Sequence, residues 1–300
     1  MGGFWNPVQL GKTELRVVPI GLAASYGIEG KGVERAFERG LNFFYWGAKY
    51  APILPRSGDF GAVLKRLGAT HREKIVTVIQ SYSRSPEKMT RSIENGLRTL
   101  AFDYTDVLLL GWWNLSPPER FMDAAAELVR RGCARYVMIS CHNRPTFPVL
   151  AQDPRVQLLM IRYNAAHPGA ERDVFPFLET ERPGIVTYTS TSWGELMNPK
   201  LVPAGERLPT ATDCYRFVLS NPFIDACWQG AKTAAELDGA IEALDRGKMD
   251  EEELDWMRRV GVTVRERTQR QDAGRAVADR LVNWMSGFGF RSTSQLPRGS

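Results

Sequence analysis

Gly40-Leu41-Asn42-Phe43-Phe44-Tyr45-Trp46-Gly47-Ala48-Lys49-Tyr50 runs from a helix end, through a strand, into a polar aromatic loop. Gly40 can take the left-handed backbone that stops a helix. Leu41 to Phe44 are apolar enough for a strand buried on both faces. Tyr45, Lys49 and Tyr50 then follow the strand, where α/β folds place their chemistry.

The same grammar recurs on either side. Val8 to Pro19 has the pattern of a short hairpin, and Val17 to Leu22 reads as a first buried strand. Apolar runs at 74–79, 106–111, 134–140, 156–163, 184–188 and 223–228 give the remaining strands. Helices are expected between them, near 32–39, 60–67, 86–100, 171–181, 212–219 and 233–244, with one starting at Ser116-Pro-Pro-Glu and a short one after Pro145. Gly68 is expected to stop the second helix. Ser85 and Ser116, each followed by proline and an acid, are expected as N-caps. Eight strand–helix alternations in roughly 250 residues predict an α/β (β/α)₈ TIM barrel with an N-terminal β-hairpin. Extra C-terminal helices follow, one over 250–268 and a tail over 275–290. A doubly wound open sheet is disfavoured, because no Gly-x-Gly-x-x-Gly turn follows the first strand.

At 300 residues and 43% hydrophobic content the chain can bury one large core. We expect a single domain over 1–290. Leu296 to Ser300 resemble the remnant of a tag-cleavage site, and 291–300 are expected as a disordered tail. No apolar run is long enough for a membrane span, and the start lacks a signal-peptide form. Cys133, Cys141, Cys214 and Cys227 lack metal-ligand spacing and are expected as reduced thiols of a cytoplasmic protein, with no metal. The net charge of +5 is spread among acids, which argues against a nucleic-acid groove and for a small-molecule partner.

Several segments, in order and at matching spacing, carry a family resemblance. They are Leu10-Gly-Lys-Thr-Glu-Leu-Arg-Val17, Gly40-Leu-Asn-Phe-Phe44, Tyr104-Thr-Asp-Val-Leu-Leu-Leu110, Arg135-Tyr-Val-Met-Ile-Ser140, Ile161-Arg-Tyr-Asn164 and Gln229-Gly-Ala-Lys-Thr-Ala-Ala-Glu-Leu237. Together they resemble the aldo-keto reductases over nearly the whole chain. The resemblance implies a barrel that binds NADP(H) and exchanges a carbonyl with an alcohol. It also implies four catalytic positions: a tyrosine acid, a lysine that lowers its pKa, an aspartate that holds the lysine, and a histidine that orients the carbonyl. Tyr50 matches the acid. The aspartate position is Tyr45, the lysine position Gln80 and the histidine position Gly111. A lone tyrosine titrates near pH ~10, and no neutral residue can do the work of an ammonium. Altered or weak catalysis is therefore expected.

For the cofactor, the resemblance implies Ser140 on the nicotinamide amide, Tyr188 stacked on its ring, and the turn Gly230-Ala231-Lys232-Thr233 on phosphate. Cys141, Met160 and Ala240 replace an asparagine, a glutamine and an asparagine of the family's grip. The residues themselves add further candidates. His142, past the fifth strand, can exchange protons near neutrality; the alternative is a histidine that ties down a loop. Arg162 points either into the barrel or into an outward salt bridge. Trp46, Trp112, Trp113 and Trp193 follow strand ends and suggest a pocket for a bulky apolar or aromatic ligand. Gly111 is expected to leave room. Three readings stay open: a weak or altered reductase, a non-redox isomerase, dehydratase or cyclase on the same barrel, and a non-catalytic binding or regulatory protein.

Overall fold

The computed structural model describes residues 3–47, 58–178 and 182–287. A two-stranded antiparallel hairpin opens the chain, β1 (Val8–Gln9) and β2 (Arg16–Val17). Then come β3 (Ile20–Ala23), α1 (Gly30–Glu38), β4 (Phe43–Gly47), α2 (Gly58–His71), β5 (Val76–Ser81), α3 (Pro86–Leu100), β6 (Thr105–Trp113), α4 (Glu119–Arg130), β7 (Ala134–Cys141), α5 (Phe147–Gln152), β8 (Leu158–Arg162), α6 (Ala170–Asp173), β9 (Gly184–Tyr188), α7 (Ala211–Ser220), β10 (Ala226–Gln229), α8 (Ala234–Arg246) and α9 (Glu251–Gly287). Strands β3 to β10 pair in parallel and close into an eight-stranded barrel. This is the expected (β/α)₈ TIM barrel, with its hairpin and its C-terminal helices.

Two apolar layers hold it. The inner layer takes alternate residues of each strand, including Phe43 and Tyr45, Val76 and Val78, Val107 and Leu109, Met138, Leu158, Val186, Ala226 and Trp228. Leu10, Leu15 and Val17 of the hairpin segment close its floor. The outer layer lies between strands and helices and contains Phe44, Trp46, Ile79, Leu108, Ile139 and Cys141. Adjacent residues of one strand face opposite ways, so parity decides which of them reach the mouth.

Several local expectations change. Gly40 does end α1, with φ +98° and its N–H donating to the Phe37 carbonyl. Strand β4 starts and ends later than expected, which brings Tyr45 into the barrel wall. Gly68 does not stop α2. It lies inside the helix, where a Cβ would sit 2.0 Å from the Phe102 ring, so glycine is there for close packing. Ser85 caps α3 through the Lys88 N–H, but α4 begins after Pro118 and Ser116 is not its cap. Of the helix expected over 171–181, the described residues form only the turn α6 and a 3₁₀ turn at Phe175–Phe177, and 179–181 lie outside them. The expected helix and the described part of the tail, to Gly287, form one helix, α9; residues 288–290 lie outside the described residues. Arg216 of α7, buried, fastens that helix by donating to Glu253 (2.5 and 2.7 Å) and to the Gly247 and Lys248 carbonyls. No helix among the described residues is long and apolar enough to cross a membrane.

Candidate active site

The inner parity brings Ala23, Tyr45, Gln80, Gly111, Ser140, Arg162, Tyr188 and Trp228 to the C-terminal mouth of the barrel. Three of the four positions implied by the resemblance are therefore side by side, and they form a neutral plug. Tyr45 is buried, its ring centroid 5.5 Å from that of Trp228, and its hydroxyl faces Tyr82 and Ser25. Burial holds its phenol well above the ordinary range. Gln80 is buried too, and its Oε1 has no hydrogen-bond partner. Gly111 does not leave room. A Cβ there would fall 2.2 Å from Gln80 Nε2 and 2.7 Å from the Tyr82 ring, so these two side chains already fill the space. None of the three positions supplies a charge. Tyr50 and Lys49 lie outside the described residues.

Around this plug stands an aromatic rim. The Tyr82 and Trp112 rings are 4.7 Å apart, and His142 lies 6.1 Å from Trp112 and 6.2 Å from Tyr188. Trp112 is 57% exposed and sits at φ +55°, an uncommon conformation for a bulky residue. Arg84 holds this bend by donating to the Gly111 and Trp112 carbonyls. His142 is exposed and makes no hydrogen bond through its ring among the described residues. Partial desolvation and the charge of Arg162 push its pKa down, which keeps it neutral and able to accept a proton. The tryptophans are divided between the mouth and the outer layer, and a register shift of β6 on β7 between Leu110 and Trp113 turns Trp113 away from the side of Gly111. Trp46 is not in the mouth; it lies in the outer layer, its indole nitrogen against Gly61 of α2. Trp113 packs outward on Phe121. Trp193 is 58% exposed and stacks on Arg162. Cys141 also faces the outer layer, where burial raises its thiol pKa, a poor setting for a nucleophile.

Arg162 points inward, in register with Tyr188. Its guanidinium donates to His167 Nε2 (2.6 Å), His167 Nδ1 donates to Asn164 Oδ1 (3.2 Å), and Asn164 Nδ2 donates to the Thr189 carbonyl (2.6 Å). Burial first, then the charges of Arg162, Arg265 and Arg144, lower the His167 pKa to about 4. An unfolded histidine takes its proton near pH ~6.5, so the unfolded state is favoured progressively as pH falls from there to about 4. Below that the stability stays lost. His167→Gln is expected to flatten this part of the profile, measured as the difference in Tm between the two proteins across pH 4 to 7. An unchanged slope would count against the network.

A nicotinamide cofactor can be tested against polar atoms that the fold leaves without partners. Ser140 Oγ, Tyr188 Oη, Ser190 Oγ and Gln229 Nε2 are buried at the ends of β7, β9 and β10 and make no hydrogen bond. Ser140 and Tyr188, of inner parity, offer unpartnered hydroxyls to a ligand in the mouth, whereas Gln229 follows inward-facing Trp228 and has the outer parity of Cys227. Burial raises the Tyr188 phenol to about 12, opposed by Arg162, so it remains a neutral donor. The turn Gly230-Ala231-Lys232-Thr233 does precede a helix N-terminus. There Glu236 donates its N–H to Thr233 Oγ1 (3.2 Å), and its carboxylate accepts from the Lys232 N–H (2.7 Å). A phosphate at α8 must displace that carboxylate, while exposed Lys232 offers a counter-charge. Ala231 is buried in the outer layer, and the Tyr26 ring covers Gly230. Among the described residues no cluster of three or more His, Cys, Asp or Glu could hold a metal ion.

Sequence reasoning passed over Tyr82, Trp228 and the Asn164–His167 link. Trp228 was discoverable as the residue of inner parity just before the turn at Gly230. Tyr82 and the link carry no such signal, because their roles come from contacts between distant strands.

The chain is similar to known proteins in ways that agree with this geometry. An aldo-keto reductase from Bacillus halodurans in its holo form superposes with a TM-score of 0.71 at 17% identity, covering 85% of this chain and 96% of that one. Its apo form gives 0.70 at 16%, covering 85% and 95%. A Pseudomonas aeruginosa protein gives 0.63 at 18%, covering 80% and 94%. At these identities the superpositions speak for the fold. The family model for the aldo/keto reductases matches residues 29–203, more than half of the chain, and with the barrel and its mouth in place the protein belongs to the aldo/keto reductase family.

Proposed function

We propose that this protein is an NADP(H)-binding oxidoreductase of its family, acting on a small carbonyl or alcohol in the cytoplasm through one barrel domain over 1–290, with altered or weak hydride chemistry. The observation that carries the cofactor is the pair of unpartnered buried hydroxyls on Ser140 and Tyr188, both of inner parity at the mouth. When bound, NADP(H) supplies or accepts the hydride. Ser140 would hold the carboxamide and Tyr188 would flank the ring. Lys232, with the Gly230, Ala231 and Thr233 turn, would meet the phosphate.

The neutral plug supports the weak catalysis. A carbonyl oxygen that gains a hydride on its carbon also needs a proton, and Tyr50 is the residue we assign to give it. Gln80, at the position where the resemblance implies a lysine, cannot lower a phenol from its ordinary pKa near ~10. Acid–base assistance is commonly worth about 10²–10⁴-fold in rate. Turnover of simple aldehydes is therefore expected to fall short of a complete four-residue site by about that factor. His142 is the second proton-transfer group at the mouth.

Tryptophan quenching and calorimetry with NADPH test the binding, and absorbance loss with an aldehyde panel tests turnover. NADPH binding with slow turnover, abolished by Tyr50→Phe, supports the proposal. No binding at millimolar NADPH would remove it. A non-redox reaction by Tyr50, His142 or Arg162 is then the next reading, favoured by the absence of charge at positions 45, 80 and 111. A small molecule bound in the mouth without turnover would point to a binding or regulatory role.

A further inference from the structure

We infer that Arg162 anchors a carboxylate on a bulky apolar or aromatic ligand lying in the barrel mouth. The inference rests on the mouth being the substrate site proposed above, and it adds the chemical class of that substrate.

Among the described residues Arg162 meets neither an acid nor a backbone carbonyl, whereas half-buried Arg265 and Arg267, which also lack an acid, donate to the carbonyls of Ala166 and of Lys200 and Val202, and the remaining enclosed arginines are paired. Arg72 pairs with Asp106 (3.0 Å), Arg144 with Asp173 (2.7 Å), Arg182 with Asp225 (2.9 Å) and Arg216 with Glu253 (2.5 Å). Arg162 is half-buried, and no carboxylate of the described residues comes within 4.0 Å of it. Glu195, the acid whose charge reaches it, accepts the Ser192 hydroxyl instead (2.9 Å). Arg162 Nε is buried and has no hydrogen-bond partner. A cation taken partly out of water without an anion is unfavourable, and an anionic ligand relieves that cost.

The guanidinium is also held in place rather than left to wander. Neutral His167 accepts from one side at 2.6 Å, and the Trp193 ring lies against its face, 4.6 Å from Cζ to centroid. Trp193 is carried by a segment in which Thr189, Ser192 and Trp193 all have positive φ (+62°, +50° and +54°). Such backbone is costly for non-glycine residues and collects at ligand sites. A fixed planar fork is the geometry that recognises a carboxylate. Trp112, Tyr188 and Trp193 around it offer ring faces to an apolar body.

Benzoate and benzamide, equal in shape and differing in charge, are the probes, titrated by calorimetry and tryptophan fluorescence into the full chain. Wild-type protein is expected to bind benzoate at least ~10-fold more tightly than benzamide. Arg162→Gln is expected to weaken benzoate by about 10–100-fold and leave benzamide unchanged, with Arg162→Lys in between. A role in holding Trp193 alone would shift both probes together. Equal binding of the two probes by wild-type protein overturns the inference without needing any variant to fold. NADPH titrated into wild type and Arg162→Gln separates the sources of the anion. Unchanged NADPH affinity supports a substrate carboxylate. A parallel loss assigns Arg162 to a cofactor phosphate and overturns it. If NADPH fails to bind while benzoate still depends on Arg162, the cofactor reading falls and the carboxylate site stands.

Discussion

Trp228→Ala is expected to lower the stability of the barrel by about 3–5 kcal/mol. The indole is buried at the inner end of β10 and fills the barrel between strands far apart in the chain. A Cβ on Gly21 would fall 2.3 Å from its ring, so the ring lies directly on the β3 backbone. It stacks on Phe43 at 4.1 Å with 30° between planes, and meets Tyr45 at 5.5 Å. Alanine removes the whole ring, and a closed barrel relaxes little to fill the gap. Its Nε1 has no partner, so the indole is there for shape rather than for a hydrogen bond. Trp228→Phe is accordingly expected to recover much of the loss. Urea denaturation measures both; a loss below about 1 kcal/mol for alanine would contradict the packing described. The same cavity would open beneath Tyr45, so the plug and its support are one structure.

Gln80→Lys carries the second large effect, a loss of about 3–5 kcal/mol near neutrality. It would place an ammonium at the position where the resemblance implies a lysine, next to Tyr45 rather than a carboxylate. Burial disfavours the charged form, so the folded-state pKa of this lysine would lie below its unfolded value near ~10.4. The unfolded chain then binds the extra proton. Stability should rise with pH up to about 10.4, and the penalty should shrink across that range. Gln80→Met is the control: it removes an unpartnered buried Oε1 at similar volume and is expected to be neutral or stabilising. Adding Tyr45→Asp to Gln80→Lys should show favourable coupling in a double-mutant cycle, because each supplies the other's missing charge. No coupling, or a pH-independent loss, would mean that the two positions do not communicate across β4 and β5. Favourable coupling would mean that a charge at 45 or 80 needs the other, because one charge alone is a liability in this interior.

Much of the architecture was legible in the chain. The short apolar runs, the stop at Gly40 and the Ser85-Pro86 start report on local backbone preferences, and these survive into the fold. Gly68 and Ser116 misled for one reason: their residue types suit a helix end, but packing on Phe102 and the start of α4 after Pro118 decided otherwise.

The sequence by itself determined the alternation of strands and helices, the family, and the absence of charge at positions 45, 80 and 111. Those are properties of residue type and order. Only the tertiary structure decided which neighbours face the mouth. In a strand buried on both sides, Tyr45 and Trp46 look alike, and a parity set by the whole barrel sends one inward and the other onto α2. Only the tertiary structure filled Gly111 with Gln80 and Tyr82, and set Arg162 beside His167 and Trp193 with no acid of the described residues within 4.0 Å. The physical reason is that each of these facts depends on distances between residues brought together by barrel closure, and no local propensity encodes them.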